Sequence, residues 1–166
     1  MINNNFYGIR DLSLAITLKD TSKSLLDYDV IKKLEKLQKF TESLYSLNNY
    51  VSVSSIVSQV NKAKNGGQIA YLKIPDSKQE YVKTLKLLEK NSRIFNVNQF
   101  LSKDKKSTFI YGKINDIGSY EINLKNNKLM GYINKEYKDI FEVKITGGSQ
   151  VLDQTNFSVT NTMFYS

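Results

Sequence analysis

Residues 11–20, DLSLAITLKD, alternate without a break, so that Leu12, Leu14, Ile16 and Leu18 fall on one side. A period of two makes a β-strand with one apolar face. Such a strand is stable only within a sheet whose apolar face is covered by a second layer. The rest of the chain supplies both partners. Residues 107–115 read as another strand, and Phe141, Val143 and Ile145 alternate as a last one. Residues 50–53, YVSV, read as a short strand. Residues 25–49 place Val30, Leu34, Leu37, Thr41 and Leu44 on one stripe at 4-3-4-3 spacing, which is a helix. Asp27 is its expected N-cap, and Asn48 and Asn49 its expected stop.

Two more helices are expected between the second and third strands. Residues 54–67 begin at a capping Ser54 or Ser55 and end at Gly66 and Gly67. Residues 72–91 contain Ser77 and Glu80 at capping-box spacing, with Val82, Leu85 and Leu88 as the apolar stripe. A final helix is expected over 116–139, with Ile122, Leu129, Ile133 and Tyr137 on one side. The order is strand, helix, strand, helical insert, strand, helix, strand. Setting aside residues 54–106 leaves a split β-α-β-β-α-β, so the expected class is α+β and the expected fold ferredoxin-like with a helical insert.

At 166 residues, one domain is the default. Lys and Arg number 24 against 16 Asp and Glu, a net charge of +8, which keeps nucleic acid and anionic membrane surfaces open as partners. The lysines are spread along the whole chain rather than gathered in one patch. Cys, His and Trp are absent. Without His or Cys, Ser-His-Asp and Cys-His catalysis and most zinc chemistry are excluded. No apolar run reaches the roughly 18 residues of a membrane span, and MINNNFYGIR lacks the apolar core of a signal peptide. At face value the residues describe a soluble cytosolic protein.

The turn Thr146, Gly147, Gly148, Ser149 follows a strand and so invites comparison with phosphate loops. The P-loop needs a later Lys and wider glycine spacing, and the dinucleotide fingerprint belongs early in a β-α-β unit; neither is met. The glycines are read as a permissive turn. The carboxylate pairs Asp27/Asp29 and Asp104/Asp116, and the cluster Lys103, Lys105 and Lys106, are read as caps, turns and a charged loop. Phe109 and Tyr111 alternate on a strand, but KSTFIYGKI lacks the RNA-recognition consensus, and core packing is the expected role.

Several stretches together resemble a known family. FYGIRDLSLAITLK resembles the lead-in to the porter domain of RND-superfamily transporters of the MMPL-like branch, and DYDVIKKLEKLQKFTESL its first helix. LNNYVSVSSIVSQVNKA is similar to the family's turn before a short helix, with Asn49 and Tyr50 where Pro-Gly is usual. FLSKDKKSTFIYGKIND resembles a later strand, with Lys105 and Lys106 in place of the usual turn residues. FEVKITGGSQVL resembles the point where the chain leaves the porter domain. The resemblance spans most of residues 6–155.

It implies a single porter-like domain over 1–155, carrying its insert at about 54–106, with 156–166 a truncated lead-in to a transmembrane helix. The domain would lie on the extracytoplasmic, periplasmic side of the cytoplasmic membrane. It would form part of a path for proton-driven export of amphiphilic or lipid-like substrates. The implied partners are the remaining transmembrane and porter parts of the same transporter, a homo-oligomer of the parent and a hydrophobic substrate. Neither an enzymatic role nor a cofactor is implied, and nucleic acid is not the expected partner. Thr146, Gly147 and Gly148 become a structural hinge towards the membrane. The rival readings are a small basic nucleic-acid-binding module, and a cytosolic enzyme with a lysine or carboxylate site.

Overall fold

The computed structural model describes residues 9–147 of the chain. They form an α+β structure: a four-stranded antiparallel sheet with four α-helices. In chain order the elements are β1 (Arg10–Leu18), α1 (Tyr28–Tyr45), β2 (Asn48–Val51), α2 (Val53–Lys64), α3 (Lys78–Lys90), β3 (Ser107–Ile114), α4 (Ser119–Glu136) and β4 (Phe141–Gly147). Two 3-10 turns, Ile69–Tyr71 and Val97–Gln99, flank α3.

The strand order is β2-β3-β1-β4, with every neighbouring pair antiparallel. Central β1 fixes which side is core. Leu14 lies between Ile110 and Ile145, and Ile16 between Thr108 and Val143; Leu18 faces Phe141. Leu12, Leu14, Ile16 and Leu18 are all buried. The core joins this face to Val30, Ile31, Leu34 and Leu37 of α1 and to Leu129 and Ile133 of α4. It continues into the insert through Val53, Val57, Ile74, Tyr81 and Leu88.

Several local expectations are corrected. Phe109 and Tyr111 do not pack in the core: Thr108, Ile110, Gly112 and Ile114 are the buried residues of β3, and the two aromatics lie on its opposite, half-exposed face. The register forces this, because Ile110 must share a face with Leu14. There Phe109 meets Phe100 edge-on at 5.5 Å, and the Tyr111 hydroxyl donates to Asp11 at 2.7 Å. α1 stops at Tyr45, where Ser46 takes the left-handed conformation (φ 53°); Asn48 and Asn49 belong to β2. Asp27 occupies the N-cap position, but its carboxylate accepts from the Ser24 N–H instead of from the helix.

The cap of α2 is Ser52 rather than Ser54 or Ser55, because β2 ends at Val51 and leaves Ser52 extended. Its hydroxyl accepts from Ser55 N–H at 3.0 Å, while Ser52 N–H donates to Ser55 Oγ at 2.8 Å: a closed capping box. In α3 the expected box is half formed. Ser77 accepts from Glu80 N–H at 3.2 Å, but the Glu80 carboxylate turns outward to Lys64 at 3.0 Å and Lys83 at 3.1 Å. The buried stripe of α3 is Tyr81, Thr84 and Leu88, with Val82 exposed. The Tyr81 hydroxyl draws that face inward by donating to the Leu26 carbonyl. Gly66 and Gly67 do take positive φ (73° and 79°), and Gly67 N–H returns to the Lys62 carbonyl, closing α2.

Gly112 has a different role. A Cβ there would lie 3.1 Å from Leu47 Cδ2 and 3.2 Å from Tyr50 Cβ, so its missing side chain lets β2 approach β3 closely.

Candidate functional site

Beside its apolar stripe, α1 carries a second one: Glu35, Gln38, Lys39 and Glu42, spaced 3-1-3. This stripe faces α2 across a groove of about 830 Å³. Ile56 and Gln59 of α2 line it as well, together with Tyr50, Leu72 and Phe95.

Behind the lining, a network of hydrogen bonds ties α1 to α2 and to the connection after it. Buried Gln38 accepts through Oε1 from Ser54 Oγ at 2.5 Å and from Ser52 Oγ. Ser58 donates to the Ser54 carbonyl at 2.8 Å. Glu35, itself buried, accepts the N–H of Ile74 at 2.6 Å and so ties the α2–α3 connection to α1. The Tyr50 phenol is pushed above its ordinary value, first by burial and then by the Glu42 carboxylate beside it. The groove therefore offers apolar side chains (Ile56, Leu72, Phe95) beside carboxylates and one ammonium, Lys39. That combination suits a molecule with one greasy and one polar part.

The serines in and behind the groove wall, Ser52, Ser54, Ser55 and Ser58, are engaged by Gln38 or backbone groups, and the chain has no imidazole to activate them. Among the described residues, no three His, Cys, Asp or Glu side chains cluster closely enough to hold a metal ion.

The carboxylates singled out from the sequence are scattered. Asp27 bonds Ser24 N–H, and Asp29 pairs with Lys23 at 2.7 Å. Asp104 accepts from Ser102 Oγ at 2.6 Å and Lys106 N–H at 3.0 Å, in the turn before β3; Asp116 pairs with Arg10 at 3.2 Å beyond the other end of that strand. Lys106 leaves its cluster to donate to the Lys23 carbonyl. Thr146 and Gly147 end β4. Thr146 is buried opposite Ser13 and donates to its carbonyl at 3.0 Å; Gly147 pairs with Leu12. Gly148 lies outside the described residues.

No motif in the sequence marks Glu35, Gln38, Lys39 or Glu42 as a site. Their stripe has the pattern of an ordinary solvated helix face, and carries no signal of its own. Comparison with family models, with curated proteins and with solved structures gave no significant match.

Proposed function

We propose that this chain is an extracytoplasmic porter-type domain of an RND-superfamily, MMPL-like exporter, built on a ferredoxin-like scaffold. The scaffold reading is supported by the strand order β2-β3-β1-β4 with antiparallel pairing throughout, and by α1 and α4 sharing one core. The observation that carries the functional reading is the position of entry and exit. The chain enters β1 at Arg10 and leaves β4 at Gly147, and Leu12 lies directly opposite Gly147. Paired antiparallel residues have Cα atoms about 5 Å apart. A domain inserted between two membrane spans needs its two connections side by side at one end, and this sheet supplies that arrangement.

On this reading the groove between α1 and α2 forms part of the wall of an export path for amphiphilic or lipid-like molecules. Its mixed lining suits such cargo, and proton coupling resides in other parts of the transporter. Thr146, Gly147 and Gly148 form the joint to the membrane part. The test uses the complete reading frame, with a protease site placed in the exposed Gly66–Gly67 turn. Cleavage in intact spheroplasts by added protease, with the protein in the membrane fraction, is the expected result. Protection until lysis, or recovery from the soluble fraction, overturns the reading.

A second reading draws on one observation: Phe109 and Tyr111 lie on the open face of the sheet, beside Lys113, in a chain of net charge +8. Aromatics so placed can stack on unpaired bases. Against it, Asp11 engages both the Tyr111 hydroxyl and the Lys113 ammonium, the latter at 2.8 Å, and Phe109 is packed on Phe100. Titration with a single-stranded oligonucleotide at low salt is expected to show no saturable binding. Tight binding that weakens steeply with salt and is lost in Phe109→Ala would favour this second reading instead.

A further inference from the structure

One buried side chain of the groove has half of its hydrogen bonds unused. Gln38 is only 5 % exposed and lines the groove. Its Oε1 accepts from the hydroxyls of Ser52 and Ser54. Two donors on the oxygen fix the amide's orientation, and the two N–H groups of Nε2 point the other way. Among the described residues no acceptor meets Nε2. Nor is it sealed in, since no buried side-chain nitrogen or oxygen among them lacks a partner. Nε2 therefore opens into the groove. An amide held rigidly on one side and unmet on the other is a preset donor for a ligand's acceptor.

One turn along the same face of α1 stands a carboxylate in a similar condition. Residues four apart on a helix have Cβ atoms about 5–6 Å apart. Glu42 is half-buried and lines the groove beside Tyr50. Among the described residues no Lys or Arg pairs with it. Lys39, the ammonium of the lining, stands 3.8 Å from Glu35 instead. Glu35 is committed elsewhere, because its Oε2 accepts from the Ile74 N–H. The groove thus offers a fixed donor, then an unpaired carboxylate, with Ile56, Leu72 and Phe95 as apolar lining. Its volume of about 830 Å³ falls in the range of small-ligand sites.

We infer that the groove binds a hydrophobic aminoacyl amide, or a short peptide of that kind with a free amino terminus. The ammonium sits on the Glu42 carboxylate, the neighbouring carbonyl accepts from Gln38 Nε2, and the apolar side chains lie against Ile56, Leu72 and Phe95. The inference gives a chemical class to the groove read above as the wall of an export path, and as a statement about cargo it rests on that reading. Other amphiphiles fit less well. An anionic head would meet Glu35 and Glu42 with one ammonium to offset them, and a plain alkylammonium would leave Nε2 unmet. The chain as a whole carries +8 and attracts anions, so a preference for a cation can only come from the groove itself.

The test titrates the isotope-labelled 166-residue chain by NMR with leucylphenylalaninamide and with its N-acetylated counterpart, which has the same side chains and no charge. The free amine is expected to give saturable shifts that include the side-chain amide of Gln38. The acetylated form is expected to bind about tenfold more weakly, the effect of losing a charge-assisted hydrogen bond. Glu42→Gln is expected to weaken the free amine by a similar factor and to leave the acetylated form unchanged. Glu142→Gln, which alters an exposed carboxylate on β4, is expected to bind as the parent does. The inference is overturned if the amine gives no saturable shifts, if the Gln38 side-chain amide does not respond, or if the acetylated form binds equally well. It is also overturned if Glu42→Gln binds like the parent, if Glu142→Gln weakens binding as much, or if decyl sulfate shifts the same resonances at lower concentration. The protease experiment reports separately. Cytoplasmic placement with amine binding intact would remove the porter reading alone, and external placement without amine binding would remove this ligand class alone.

Discussion

Glu35→Ala is expected to lower the unfolding free energy by about 2–3 kcal/mol, because it removes the charged acceptor of a buried backbone N–H. Ile74 is fully buried, and its N–H donates to Glu35 Oε2 at 2.6 Å. A hydrogen bond to a charged acceptor contributes about 1.5–3 kcal/mol, and an unpaired buried donor costs a similar amount. The nearby Lys39 adds little: it stands 3.8 Å away, and its side chain is 59 % exposed. Glu35→Gln keeps an acceptor oxygen in place and is expected to lose less than half as much. For a chain of this size each kcal/mol shifts the melting temperature by about 2–4 °C, so Glu35→Ala should melt roughly 5–10 °C lower. Thermal and urea unfolding of the three proteins would measure both differences. Equal losses in the Gln and Ala variants would show that the side chain acts through its charge or its packing, and not as the acceptor for Ile74. The bond also sets the groove, since it fixes the segment that carries Leu72 against α1.

How much of this was legible beforehand depends on where the deciding information sits. The buried face of β1 is written in β1 itself, because only one phase of the alternation is apolar. α1 is similar: Val30, Leu34, Leu37 and Thr41 are buried as their spacing requires. β3 is different. STFIYGKI has apolar residues in both phases, with aromatics in one and isoleucines in the other, so its own sequence does not choose. The choice is made across the ladder, where Leu14 demands Ile110. In α3 the inward face follows the Tyr81 hydroxyl to the Leu26 carbonyl, a partner 55 residues away. The groove is harder still. Its walls come from residues 35–47 and 49–59 together with Leu72 and Phe95, and no local pattern joins them. The stripe of Glu35, Gln38, Lys39 and Glu42 is indistinguishable from a solvated helix face until α2 is set opposite.

Phe141→Ala is expected to have the larger effect, a loss of about 3–5 kcal/mol. Phe141 opens β4, opposite Leu18, and is only 2 % exposed. It is also the last of four rings that cross the domain. Phe40 of α1 stacks on Tyr132 of α4 at 3.8 Å, Tyr132 meets Tyr137 edge-on at 5.6 Å, and Tyr137 leans on Phe141 at 5.7 Å. Removing the last ring leaves a cavity where helix, turn and strand meet. The backbone there is held separately by Phe141 N–H on the Tyr137 carbonyl at 2.9 Å, so the site has little freedom to collapse. A loss of that size is a large fraction of the roughly 5–15 kcal/mol that holds a domain folded. A double-mutant cycle with Tyr137→Leu is expected to give about 0.5–1.5 kcal/mol of coupling, the increment of an aromatic pair beyond its buried area. A loss under about 1 kcal/mol, or no coupling, would mean that the ring series is incidental to the packing of α4 on the sheet.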